Sequence, residues 1–169
     1  YNNLNHFKEQ EPQKTISGKN YNPDYLFFKN SDEHLKIIKD ENKDKFKHSL
    51  AIGEAKRWNT KLDKKTPDHQ NPSYQIYNYI DRLRVNWGIL TNGKKWRLYS
   101  YEDCEADTYY EIDIVENILK EDDRETALKN FKYFYLFFRQ ESFLPKEQGF
   151  VDKVFEGSVS YSKGLEEKF

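Results

Sequence analysis

Ser49-Leu50-Ala51-Ile52-Gly53-Glu54-Ala55-Lys56 is the stretch on which the fold turns. It is a short apolar run, the length of one strand, that ends in a carboxylate and an ammonium. Side chains alternate faces along a strand, so residues two apart point the same way and Glu54 shares a face with Lys56. A charged pair on one face of a core strand needs a reason. Gly53 and Ala55 between and before them are small, which permits close packing behind the strand and close approach of a ligand.

Working outward, Tyr21-Asn22-Pro23-Asp24 is a turn signal, because Pro fixes its own φ and pushes Asn22 toward extended geometry. Tyr25-Leu26-Phe27-Phe28 after it reads as a short buried strand. The first twenty residues are polar and turn-rich, an approach to the core. Lys29 to Lys47 is lysine-rich and reads as a solvated connection with one weak strand at Ile37-Ile38. Beyond the central strand, Asp63 to Gln70 is a polar loop. Asn71-Pro72 starts a helix, with Asn capping free N–H groups and Pro at the first helical position, and the helix runs to about Arg84.

Trp87 to Tyr99 is two strands joined by Asn92-Gly93, a strong hairpin signal, and Tyr109 to Ile114 is a further strand. From about Asp123 to Phe138, apolar residues at Ala127, Leu128, Phe131, Phe134, Tyr135 and Phe138 repeat with helical spacing and predict a core-packing helix that Pro145 leaves behind. Gly149 to Phe169 is weakly patterned and charged. The expected fold class is α/β: a central mixed sheet from the Asp24, Glu54 and hairpin strands, flanked by the Gln75 and Phe131 helices. Residues 1–145 would form the domain and 146–169 a connector toward a downstream domain.

Composition bounds the rest. A chain of 169 residues is long enough for one full core and short for two. Thirty-four percent charged residues and a mean hydropathy of -1.07 are polar values, but 17% aromatic residues exceed what disordered chains carry. A formal charge of -1 advertises no global affinity for nucleic acid, so DNA contact requires a local patch and sequence specificity would reside elsewhere. The single cysteine, Cys104, excludes an internal disulfide and a cysteine-based zinc cluster and fits a reducing cytoplasm. No apolar run has the length of a membrane span and no signal peptide is visible. The start at Tyr1 and the absence of Met are what a fragment of a longer product would show.

Phosphodiester hydrolysis at neutral pH calls for a hard cation, since Mg²⁺ binds phosphate oxygen, activates water and offsets charge in the transition state. Mg²⁺ takes oxygen ligands. Glu54 is one candidate, Asp24 at the entry of the neighbouring strand is the second, and the backbone carbonyl of Ala55 is the expected third, with Mn²⁺ able to substitute for Mg²⁺. Lys56 would orient the attacking water and stabilise developing charge. The alternative is an exposed ion pair on a strand edge, since Glu-x-Lys triplets are common in charged chains.

Pro23-Asp24 followed by Glu54-Ala55-Lys56 resembles the PD-(D/E)xK nuclease superfamily of restriction enzymes and related DNA nucleases. Gln75 and Tyr79, in Ser73-Tyr74-Gln75-Ile76-Tyr77-Asn78-Tyr79, match the Q-x-x-x-Y motif that accompanies this site in some branches. At about 100° per residue, Gln75, Tyr79 and Arg82 fall on one stripe beside the apolar stripe of Ile76, Ile80 and Leu83. Gln, Tyr and Arg together suit a DNA backbone; the alternative is a surface helix whose tyrosines cover the core. The hairpin is similar to the GILTNG-x-x-W hairpin of type I and type IIG restriction enzymes.

The resemblance covers roughly Tyr21 to Tyr99. It implies a restriction-endonuclease-like fold and Mg²⁺-dependent cleavage of double-stranded DNA. The larger context would be a type IIG enzyme, whose S-adenosylmethionine-dependent methyltransferase lies downstream, or a type I R subunit. A non-catalytic DNA-binding or interaction module of the same fold is the competing class. A transient dimer is one route to cutting both strands. The acidic residue that often precedes the Asp in this family has only Glu9 and Glu11 as candidates.

Lys56, Arg57, Lys61, Lys64 and Lys65 form a basic run just after the central strand, either a phosphate contact, with Arg57 and Lys61 foremost, or a solvated loop. His6, His34, His48 and His69 lack metal-ligand spacing and read as ordinary surface residues. Cys104, between Asp103 and Glu105 with no base nearby, is assigned no catalytic role.

Overall fold

Alternation along the central strand sends Ile52 and Glu54 to one side of a sheet and Ala51 to the other, so both faces need a cover. The computed structural model describes residues 6–7, 14–16, 19–40, 44–64, 71–102 and 106–166. Its strands are His6–Phe7 (β1), Lys14–Ile16 (β2), Lys19–Tyr21 (β3), Tyr25–Phe27 (β4), Ala51–Ala55 (β5), Trp87–Thr91 (β6), Lys95–Ser100 (β7) and Tyr110–Asp113 (β8). The α-helices are Ser31–Ile38 (α1), Lys45–His48 (α2), Pro72–Leu83 (α3), Arg124–Phe138 (α4) and Phe150–Glu166 (α5).

Five strands make a mixed sheet in the order β4-β5-β6-β7-β8, and the two-residue β1 extends it at the β4 edge. Among the described strands only β5 and β6 pair in parallel, and α3 is the helix in the connection between them. β2 and β3 form a separate antiparallel pair. The α/β class and the mixed sheet flanked by helices are as the sequence predicts.

One face carries Leu26, Ile52, Leu90 and Tyr99 under Ile76, Ile80 and Leu83 of α3, with Ile37 and Phe46 of the first two helices. The other carries Ala51, Trp87, Ile89 and Leu98 under Phe143 and Val151, with Phe137 and Phe138 of α4 packed beside them. Tyr110 and Phe137 stack there with centroids 4.0 Å apart. The predicted apolar stripe of α3 is buried throughout.

Local chemistry explains the ends of α3. Asn71 Oδ1 accepts from the Ser73 N–H at 2.9 Å, with Pro72 at the first position. Arg84 then takes a left-handed φ of 57° and donates its N–H to the Ile80 carbonyl, which stops the helix. In the hairpin Gly93 supplies φ +84° and Asn92 Oδ1 accepts from the N–H groups of Lys94 and Lys95.

Four readings are corrected. Ile37-Ile38 is the end of helix α1, whose Asn30 cap accepts from the Glu33 N–H and whose buried His34 and Ile37 lie one turn apart. His34 is therefore no surface residue, and its ring packs on Phe28 at 5.0 Å. Residues 150–166, read as weakly patterned, form a helix whose Val151 and Phe155 reach the second core. On α4, Phe134 and Phe138 meet Trp96, but Leu128, Phe131 and Tyr135 face solvent, so the helix is half core-packing at most.

Arg97, 2% exposed, crosses from sheet to loop. Its Nη1 and Nη2 donate to both oxygens of Asp63 at 2.5 and 2.8 Å, and its Nε donates to Glu111 at 2.5 Å. The Arg97 guanidinium holds the Asp63 carboxyl below the usual carboxylate range. Loop 56–64 is thereby tied to β7 and, through Ser73, to the start of α3.

Gly88 sets how near α3 can lie. A Cβ there would sit 2.4 Å from Ile80 Cδ1 and 3.0 Å from Ile76 Cγ1, both side chains fully buried. Gly88→Ala is expected to destabilise the fold by about 1–3 kcal/mol through overpacking, read as a lower urea midpoint at unchanged m-value.

Candidate functional site

β4 and β5 pair antiparallel with Tyr25 opposite Gly53, so the next register step sets Asp24 opposite Glu54. Cross-strand partners share a face. The same row continues through Leu90, Arg97 and Glu111, because Glu54 pairs with Leu90, Leu90 with Arg97, and Arg97 with Glu111.

Asp24 Oδ2 accepts from the Ala55 N–H at 2.8 Å, closing the end of the β4–β5 ladder. In an extended strand one residue's N–H and C=O face the same edge, so the Ala55 carbonyl belongs to the Asp24 side. The Lys56 N–H points the opposite way, donating to the Thr91 carbonyl of β6 at 2.7 Å.

Glu54 is 4% exposed. Its Oε1 accepts from Lys56 Nζ at 2.6 Å, while its Oε2 is buried with no hydrogen-bond partner among the described residues. Burial raises the Glu54 carboxyl above its ordinary 4.5, Lys56 opposes the rise, and the charge of Asp24 adds to it. An ionised, half-satisfied carboxylate is held at a cost to stability.

Lys56 Nζ also donates to Gln75 Oε1 at 2.7 Å. Gln75 Nε2 donates to the Tyr79 hydroxyl at 2.8 Å, and that hydroxyl donates to the Asn22 carbonyl at 3.3 Å. Burial pushes the Tyr79 phenol up, which keeps it a donor. The chain runs from the β5 pair through one turn of α3 to the turn that carries Asp24. Two of the three ammonium donors of Lys56 are used, leaving one.

The structure therefore brings together Asp24, Glu54, Ala55, Lys56, Gln75 and Tyr79. It gives Gln75 and Tyr79 partners inside the protein, so they position Lys56 and the Asp24 turn. Arg82 lies on the same helix but faces solvent, with its Nε 3.4 Å from Asp81. Arg57, Lys61 and Lys64 are exposed along the loop after β5. Glu9, Glu11, Lys65, His69 and Cys104 lie outside the described residues, as does most of the 63–70 loop.

Sequence reasoning missed two participants. Asn22 anchors Tyr79 through its carbonyl, and its side-chain Oδ1 is buried without a partner among the described residues; its place before Pro23 was the available signal. Asp63 looked like a loop residue but is the carboxylate that clamps Arg97.

Among the described residues, no group of three or more His, Cys, Asp or Glu side chains converges as a metal cluster, and no helix is long and apolar enough to cross a membrane. Comparison with known proteins returns no match to any family model, curated protein or solved structure.

The raised Glu54 carboxyl has a sign that can be measured. Between its ordinary and its raised value the folded state holds more protons than the unfolded state, so this group's contribution to stability falls as pH rises. Glu54→Gln removes that cost and still offers Lys56 an acceptor. The urea midpoint of Glu54→Gln minus that of the wild type is expected to grow as pH is raised from 4.5; a pH-independent difference would contradict it.

Proposed function

We propose that this chain is a Mg²⁺-dependent DNA-cleaving domain with a restriction-endonuclease-like fold, acting on double-stranded DNA as part of a larger restriction-modification enzyme. The observation that carries the reading is Glu54 Oε2: a buried carboxylate oxygen with no partner among the described residues, one register step beyond the Tyr25–Gly53 pair and so on the Asp24 side of the ladder end. Buried polar atoms are almost always satisfied, and the exceptions call for an explanation such as an ion. Two carboxylates and a backbone carbonyl make an all-oxygen donor set of the kind Mg²⁺ takes, with water completing its coordination.

Asp24, Glu54 and the Ala55 carbonyl would hold the cation. Bound there, Mg²⁺ would supply Lewis acidity toward a phosphate oxygen and lower the pKa of water. The protein's own share falls to Lys56. Lys56 stands on the same face as Glu54 with one donor left over, which suits it to orienting a water and to offsetting charge on the phosphate. Gln75 and Tyr79 hold the ammonium in place, and Arg57 and Lys61 stand on the adjoining loop as phosphate contacts, with Arg82 further along α3.

The second reading is a non-catalytic module, and the observation in its favour is that Lys56 is already engaged by Glu54 and Gln75. A module of that kind would keep the polar chain for stability and bind no cation. Calorimetry with Mn²⁺ or Ca²⁺ separates the two: a binding isotherm that disappears in Asp24→Ala and Glu54→Ala supports the enzyme.

Cleavage is the direct test. With Mg²⁺ and supercoiled plasmid, Asp24→Ala, Glu54→Ala and Lys56→Ala are each expected to lose at least about a hundredfold in cutting rate. Gln75→Leu should lose less, because it loosens Lys56 without removing it. Wild-type cutting by Lys56→Ala would sink the assignment.

A further inference from the structure

The parallel pairing of β5 and β6 brings the carboxyl ends of both strands to one edge, where Lys56 donates to Thr91. Open α/β sheets bind ligands outside such ends. Immediately beyond lies Trp58, 51% exposed and the only one of the three tryptophans that is mostly open, since Trp87 is buried and Trp96 packs on α4.

Trp58 is held firmly for an exposed side chain. The hairpin turn presses on its ring, since a Cβ at Gly93 would sit 2.9 Å from its Cε3. Lys94 Nζ lies 5.0 Å from the ring centroid. The backbone on either side is anchored by Thr60 N–H to the Arg57 carbonyl at 2.8 Å and by Asn92 Nδ2 to the Thr60 carbonyl at 2.9 Å. The Asp63–Arg97 clamp closes the far end of the loop.

Charge favours a polyanion here. Lys94 lies over the indole and Arg57, Lys61 and Lys64 are exposed on the same loop as Trp58, and among the described residues none of the four forms a salt bridge with a carboxylate. A basic loop carrying a pre-set aromatic face is the arrangement that binds a nucleic-acid strand by phosphate contact and base stacking. In an intact duplex the base faces are covered by their neighbours, so an indole can stack only on a base that has left the helix or has no partner. Trp58 is two residues from Lys56, roughly 7 Å of chain, or about two base steps along a strand.

We propose that Trp58, with Arg57, Lys61 and Lys94, is a stacking platform for an unpaired base of the DNA strand held at Glu54 and Lys56. The chain would then favour DNA carrying an unpaired base beside the scissile phosphate over an intact duplex. The inference rests on the DNA-cleaving reading for its ligand, but it is tested without cleavage.

The probe is 2-aminopurine, whose fluorescence falls when it stacks. It is placed as a single-base bulge in a labelled duplex and titrated with the 169-residue chain in EDTA, with anisotropy followed in parallel. Wild type is expected to quench the bulged 2-aminopurine and to bind the bulged duplex at least about fivefold more tightly than the intact one. Trp58→Ala should lose both the quench and the preference, and Trp58→Phe should keep part of each. Lys61→Ala should weaken both duplexes alike.

Equal quenching by wild type and Trp58→Ala, equal affinity for bulged and intact duplexes, or no binding would overturn the platform. An indole that merely covers the Gly93 turn would show itself as lower stability of Trp58→Ala with the quench intact, which also overturns it. Quenching and preference without any Mg²⁺-dependent cutting would leave the platform standing and remove the nuclease reading. Cutting without quenching would do the reverse.

Discussion

Helix α3 can approach the sheet only because Gly88 has no side chain, and most of the molecule follows from that contact. Ile76 and Ile80 fill the space a Cβ would occupy. One turn of the same helix then brings Gln75 within 2.7 Å of the Lys56 ammonium. A helix standing further off would leave Lys56 with Glu54 alone and Tyr79 short of the Asn22 carbonyl. The apolar stripe of α3 supplies the burial energy, and its polar stripe uses the resulting position.

The row Asp24, Glu54, Leu90, Arg97, Glu111 across the sheet contains two polar groups of opposite character. Arg97 has both oxygens of Asp63, one of Glu111 and the Ser73 hydroxyl, and its ring neighbour Tyr109 lies 4.0 Å away. That network is closed and holds a loop to the sheet. Glu54 is left half open, with one oxygen paired and one orphaned. Fully satisfied networks specify structure; an unsatisfied buried carboxylate is a local violation of the kind proteins tolerate where function requires it. Leu90 separates the two and keeps Arg97 from answering Glu54.

What could be read along the chain was whatever local chemistry decides. The Asn71 cap, Pro72, the Asn92-Gly93 turn and the apolar stripe of α3 are set by the local backbone and its period, and each stands as the sequence predicts. Ile37-Ile38 misled because an apolar pair in a lysine-rich stretch lacks a clear period, and only Ile37 is buried, beside Phe28 and Phe46 from elsewhere. The 150–166 helix misled for the same reason: its first turns find their core on Trp87 and Phe137, which come from elsewhere in the chain. Arg97 gave no local sign of being buried, since a charged residue on a strand reads as solvent-facing until Asp63 and Glu111 are brought to it.

The sequence by itself determined that Glu54 and Lys56 share a face, that Asp24 stands at the entry of a short strand, and that Gln75 and Tyr79 share one side of a helix, because turn signals and strand and helix periods are properties of the local chain. Only the tertiary structure decided that these pieces join. Antiparallel register set Asp24 across from Glu54, and the α3 crossover carried Gln75 and Tyr79 onto Lys56 and the Asn22 carbonyl. It also turned Gln75 and Tyr79 inward, left Arg82 outside, and orphaned one oxygen of Glu54. The physical reason is that hydrogen-bond partners and desolvation depend on distances between segments far apart in the chain, which no local period encodes.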